Sequence, residues 1–143
     1  MATPHWYAKG LVNDADANVN LASDTIKLML VTSSYTPNQQ TDQYRNVTDT
    51  YEASGGSGYT AGGFTLASKT VTTSTLTLNW DAADISQAIT GGPLAFRYGV
   101  FYKARGGASS ADELIGYVDF GSQSLTDATL NITLTNQLTI TAS

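Results

Sequence analysis

The chain has 143 residues, no cysteine, only 13% charged residues and a formal net charge of −5. Its length fits one domain with a core large enough to stand without covalent staples, and the missing cysteines exclude disulfide-stapled and zinc–thiolate designs. Seven Lys and Arg scattered along an acidic chain also exclude the clustered basic surface that a phosphate backbone requires, so no nucleic-acid partner is expected.

The charge deficit, against about 25% charged residues in ordinary soluble domains, is filled by Thr, Ser, Asn and Gly. A polar, weakly charged surface of this kind suits repeated packing against neighbours. The opening MATPHWYAKG lacks the basic and apolar halves of a secretory leader, and no apolar run approaches the ~18 residues of a membrane span. The expectation is a soluble polypeptide made in the cytoplasm, with no membrane partner.

In chain order, residues 5–12 (HWYAKGLV) read as a first strand and residues 13–24 as a turn-rich connection. Residues 25–32 (TIKLMLVT) are a strong strand in which Ile26, Leu28 and Leu30 alternate. Met29 and Val31 make its second half apolar on both sides, which predicts a central strand covered on both faces. Residues 33–57 form a long polar loop, with a short helical or irregular piece expected near residues 41–48. Five glycines in residues 55–63 (GGSGYTAGG) mark tight turns or bulges.

Residues 64–73 alternate weakly. Residues 75–80 (TLTLNW) alternate cleanly and predict Leu76, Leu78 and Trp80 on one core face. Residues 81–85 read as an irregular edge and Gly91-Gly92-Pro93 as a break. Residues 94–121 (LAFRYGVFYKARGGASSADELIGYVDFG) read as a long-looped central hairpin, with Asp119 pointing to solvent or paired to Arg97 or Lys103 across it. Leu130, Ile132 and Leu134 should point inward from residues 129–135, and Leu138 and Ile140 from residues 137–141, with Asn136 as the turn between them. About seven to nine short strands at close spacing, with no helical-period segment, define an all-β antiparallel sandwich or barrel in a single domain.

Chemistry-bearing motifs are few. Asp14, Asp16, Asn18 and Asn20 alternate as oxygen ligands of calcium do, but Val19 stands where the EF-hand loop needs Gly and Thr25 where it needs Glu, so Asx-type turns are expected instead. Ser57 lies between glycines in GGSGYT, yet Tyr59 replaces the closing Gly of a nucleophile elbow. His5 is the single histidine. The carboxylates Glu52, Asp81, Asp84, Glu113 and Asp119 offer only the pairs that any β-sandwich offers. No catalytic residue, cofactor site or metal site is assigned. Core packing is expected for Trp80, Phe96, Tyr98 and Tyr117. The aromatic residues His5, Trp6, Tyr7, Tyr35, Tyr44, Tyr51 and Tyr59, on the N-terminal segment and the loops, are the expected contacts with other subunits, because tyrosine is enriched where proteins meet.

Four phrases in order, KLMLVTSSYTPN (residues 27–38), EASGGSGYTAGGFTL (52–66), LAFRYGVFYK (94–103) and LIGYVDFG (114–121), resemble a family of small tailed-bacteriophage structural proteins. The chain departs from that pattern at ISQAITGGPLAF, where relatives tend to carry a tryptophan. The resemblance implies a jelly-roll-like sandwich in a virion component, best matched by a head decoration (cement) protein on the outer capsid surface. It would bind the major capsid protein and self-associate, most readily as a trimer. Residues 1–9 are expected as an extended N-terminal arm, and residues 2–9 and 33–63, polar, Tyr-bearing and Gly-rich, as the contact regions. A receptor- or carbohydrate-binding module of a tail tip or head fibre stays open at this point; a tail-tube subunit ranks below it, because it would need a long hairpin arm that the sequence does not show.

Overall fold

The computed structural model describes residues 4–135 and 138–141, with the side chains of residues 140 and 141 left aside. The strands are β1 (Pro4–Trp6), β2 (Ile26–Val31), β3 (Phe64–Thr65), β4 (Thr70–Ser74), β5 (Thr77–Asp81), β6 (Ile85–Ile89), β7 (Leu94–Lys103), β8 (Leu114–Leu125), β9 (Ala128–Ile132) and β10 (Leu138–Thr141). One helix, α1 (Ala8–Ala15), and short 3-10 turns over Arg45–Val47, Asp49–Tyr51 and Ser109–Ala111 complete the described residues. All pairing is antiparallel. A main sheet runs in the order β1-β8-β7-β2-β3, a second β10-β5-β4, and a third β6-β9. The all-β expectation holds, and the short piece expected near residues 41–48 overlaps the first of these turns, Arg45–Val47.

The main sheet is buried on both faces, as the doubly apolar second half of β2 predicts. On one face Ile26, Leu28, Leu30, Phe101, Ile115 and Val118 pack against Trp80 and Leu138 of the second sheet and Ile89, Leu130 and Ile132 of the third. Trp80 is fully buried here. Its ring meets Phe101 edge-on at 5.3 Å, and its Nε1–H donates to the Leu21 carbonyl at 3.0 Å. Burying an indole contributes on the order of 2–3 kcal/mol, and the hydrogen bond removes the cost of its buried polar edge. The other face carries Met29, Val31, Tyr98, Val100, Tyr102 and Leu114, covered by Tyr7, Tyr35 and Tyr51.

The central hairpin forms as expected, with two register shifts, the first of which decides which face its aromatics occupy. Phe96 pairs with Gln123 but Tyr98 pairs with Asp119, so two steps on β7 face four on β8. Such a bulge re-aims side chains. Phe96 therefore joins the core between the sheets, whereas Tyr98 joins the tyrosine-rich layer. Arg97 and Asp119 bridge the bulge through Nη2–Oδ2 at 2.8 Å and Nε–Oδ1 at 3.1 Å, the expected cross-strand pair.

Four sequence expectations are corrected. Residues 5–12 are not one strand: β1 stops at Trp6 and α1 begins at Ala8. Its alternating pattern suits a strand, but Gly10 lies against the β8 backbone, where an added Cβ would sit 2.2 Å from the Ile115 oxygen. Only a helix without a side chain there can approach so closely. From Pro4 onward the chain is also no free arm, because Pro4, His5 and Trp6 pair with Val118, Tyr117 and Gly116 and Tyr7 is fully buried. Leu76 does not face the core; it sits in the two-residue turn between β4 and β5 and is 69% exposed. Finally, β6 forms between the expected edge (residues 81–85) and break (91–93), and residues 64–73 divide into β3 and the start of β4, which gives ten strands among the described residues. The expectations for Asn136 and for the Ile140 side chain lie outside the described residues.

Candidate interaction surfaces

The seven aromatics expected at contacts separate into buried and accessible groups. Tyr7 and Tyr35 are core residues, 0% and 3% exposed, and are removed from the contact set. Their hydroxyls lie 2.6 Å apart, and Tyr35 donates its proton to Asp42 Oδ2 at 2.7 Å, so Tyr7 must donate to Tyr35. Burial, first of all, pushes both phenols far above their ordinary range. Tyr35 also packs against Tyr51 at 5.8 Å and edge-on against Tyr98 at 6.0 Å. Tyr59 is half-buried and structural: its oxygen accepts from Leu30 N–H at 3.0 Å and its hydroxyl donates to Glu52 Oε1 at 2.8 Å.

His5, Trp6, Tyr44 and Tyr51 keep part of their surface in solvent. His5 stacks on Tyr117 at 5.0 Å, and Trp6 Nε1–H donates to the Thr139 carbonyl at 3.1 Å. Nothing in their spacing distinguishes them from Tyr7 and Tyr35; the hydroxyl-to-carboxylate chain that buries those two joins residues that are far apart along the chain. Of the aromatics expected in the core, Trp80, Phe96 and Tyr98 are buried and Tyr117 is half-buried.

The carboxylates weighed for chemistry all serve the fold. Asp84 Oδ1 accepts from Leu134 N–H at 2.8 Å, Asp81 from Ala82 N–H, and Glu113 takes both arms of Arg105. Glu52 Oε1 accepts from Gly62 N–H as well as Tyr59. Ser57 exchanges backbone hydrogen bonds with Thr90. Asn20 Oδ1 accepts from Ala22 and Ser23 N–H at 3.1 Å each, the Asx-type turn expected there.

A polar cavity of about 330 Å³ lies among Lys27, Arg45, Glu52, Gly62, Tyr102 and Asp112. Arg45 reaches Asp112 at 3.0 Å and Asp49 at 2.9 Å, and its guanidinium lies 5.0 Å from the Tyr102 ring centre. Tyr102 donates to the Gly62 carbonyl at 2.6 Å, and burial pushes its phenol up to about 12 against the opposing pull of Arg45. These contacts tie the loop of residues 45–62 to the main sheet.

Two surfaces are turned outward. The β4–β5 hairpin projects five exposed residues on β4, with Val71 40% and Leu76 69% exposed. A groove of about 420 Å³ opens between the end of β8 and β9, lined by Phe96, Phe120, Leu125, Leu130 and Ile132 with Gln123, Thr129 and Asn131 at its polar margin. Phe96 and Phe120 meet edge-on at 6.1 Å in its floor. No protein-family model, curated protein or solved structure matches the chain.

Proposed function

We propose that this chain is a non-enzymatic structural protein of a tailed-bacteriophage virion, a decoration (cement) protein that binds the major capsid protein on the outer head surface and braces subunit junctions. The observation that carries the reading is where the polar chemistry goes. The carboxylates weighed for catalysis and the buried phenols are spent on internal bonds, and what faces outward is a stiff, weakly charged β surface with apolar relief. Such a surface is built for contact. Three of the four phrases that carry the family resemblance fall on β2, β7 and β8, the central strands of the main sheet.

Several weak contacts made at once by a rigid body act as one strong attachment, which is the physical basis of cementing. The half-buried His5, Trp6, Tyr44 and Tyr51 are the aromatic contacts that remain available. Trimeric clustering would close its own interfaces around a local threefold position. The test is copy number and position on purified particles: hundreds of copies, with density on the outside of the head, support decoration. A handful of copies at a tail tip, or none, refutes it.

One observation favours a second reading, a tail-tube subunit. The β4–β5 hairpin, with all five residues of its outer strand exposed, is a short counterpart of the hairpin arm that such a role needs. Density in a stacked tube rather than on the head would select it.

A further inference from the structure

We propose that the β4–β5 hairpin of one copy docks tip-first into the Phe96–Phe120–Leu125–Leu130 groove of a second copy, joining identical subunits head to tail. The inference rests on the reading that the protein works as an assembled part, and it specifies how copies meet.

The hairpin is an unprotected edge. Among the described residues β4 pairs only with β5, and all five of its residues are exposed. Its sequence TVTTS is β-branched and uncharged, without proline or an inward charge, and Lys69 alone flanks it. Natural edges are normally blunted by such devices, because open N–H and C=O groups recruit further strands. The tip adds an apolar knob. Leu76 is the most exposed of the large hydrophobic side chains among the described residues, and the preceding Thr75 is held at φ 46, a conformation a β-branched residue rarely adopts. Backbone held in this way to present a leucine to water is the kind of outlier that marks a functional tip.

The groove offers the matching hole. Its floor is apolar, its margin is Gln123, Thr129 and Asn131, and no residue of the hairpin lines it, so a copy cannot fill its own groove with the hairpin as folded. Charge selects the occupant. Each copy carries −5, so copies repel wherever acidic groups face one another. The tip of the hairpin carries no Asp or Glu, Asp81 standing at its base opposite Thr70, and neither do the residues lining the groove. Asp119, next to Phe120, is neutralised by Arg97 at 2.8 Å. Hairpin and groove are thus two surfaces through which acidic copies can approach.

Because knob and hole are different surfaces, the contact is heterologous, and repetition gives a ring or a filament rather than a closed twofold dimer. About ten residues on each side is roughly half of a standard interface patch, so a single contact is weak and gains strength by repetition in a lattice.

The test uses sedimentation velocity on the full chain from about 10 μM to about 1 mM, the range in which contacts of this size assemble. Leu76→Asp charges the tip, and Thr129→Arg blocks the groove from an exposed position. The wild type is expected to grow beyond a dimer with concentration, and each variant to stay monomeric. Their equimolar mixture should stop at a heterodimer, since the first variant keeps an intact groove and the second an intact hairpin. Circular dichroism checks that both fold; Leu76→Ser and Gln123→Arg form the replacement pair. A wild type that stays monomeric throughout, a Leu76→Asp chain that assembles like the wild type, or a mixture that does not pair overturns the proposal. Copy number on particles is independent of these results. A monomeric chain present in hundreds on a head sinks this inference alone, and an assembling chain absent from particles sinks the virion reading alone.

Discussion

Gly10→Ala separates intrinsic helix preference from tertiary contact. In an isolated helix, alanine is favoured over glycine by about 1 kcal/mol, so α1 should gain stability from the change. In the folded protein the new Cβ would lie 2.2 Å from the Ile115 oxygen and 2.9 Å from its carbonyl carbon and Cα. All three are backbone atoms of a strand paired on both sides, so none can swing away. The helix would have to retreat by roughly 1 Å, which strains the Tyr7 N–H···O=C Ile115 bond of 3.1 Å and the Ala8 N–H···O=C Gln39 bond of 2.7 Å and lifts buried Tyr7. Overpacking of this kind costs about 1–3 kcal/mol and a weakened hydrogen bond about 1 kcal/mol more. Set against the gain in propensity, a net loss of about 1–3 kcal/mol is expected, with Tm lower by about 3–9 °C. Urea unfolding followed by circular dichroism measures it, with the slope unchanged. Gly107→Ala is the control: nothing lies within 4 Å of its added Cβ, and it should be neutral or gain up to about 1 kcal/mol. A Gly10→Ala protein as stable as the wild type would refute the close helix–strand approach.

The remaining predictions concern buried hydroxyls and pH. Tyr59→Phe strands the Leu30 N–H and should cost about 1–3 kcal/mol, whereas Tyr44→Phe, which loses only a bond to its neighbour Gln43, should stay within about 0.5 kcal/mol; equal urea midpoints for the two would contradict this. The Arg97 hydrogen bonds hold the Asp119 carboxyl below its ordinary range, and for Asp24 the Asn20 N–H and Lys103 outweigh the opposing effect of burial. Folded values below unfolded ones mean stability that is present above about pH 4 and lost as pH falls through the depressed values, and Asp119→Asn should flatten that acid limb. An unchanged limb would count against the pair. At the other end, burial holds Tyr102 up to about 12 and Tyr7, Tyr35 and Tyr59 higher still. Their contribution is complete below the unfolded value of about 10 and is lost as pH rises beyond it. Phenolate absorbance at about pH 10 should therefore leave these four of the eight tyrosines silent while the chain stays folded. Eight tyrosines titrating together in a folded protein would contradict the burial.

Much of the scaffold was legible because local pattern and tertiary demand agree. β2, β7 and β8 have too many apolar residues for one-sided burial and lie in the sheet covered on both faces. Leu130, Ile132, Leu134 and Leu138 point inward as their alternation requires. The Arg97–Asp119 pair follows from two opposite charges facing each other across a hairpin. The outward surfaces were far less legible. Tyr7 and Tyr35 are polar-tipped residues in polar company, and what buries them is a partner for each hydroxyl, supplied by Asp42 and by one another. Leu76 belongs by alternation to the core, and a turn placed one residue later than the pattern suggests sends it into solvent.

Composition and periodicity alone determined that this chain would be antiparallel and β-built, with a central hairpin and little charge on its surface, because strand period and apolar content are properties of neighbouring residues. Only the tertiary structure decided that residues 8–15 wind into a helix, that two tyrosines sink while one leucine emerges, and that a groove opens beside β9. Those outcomes depend on which backbone lies opposite Gly10, which oxygen waits for a phenol and where two sheets diverge. They are contacts between segments far apart along the chain, which no local pattern records.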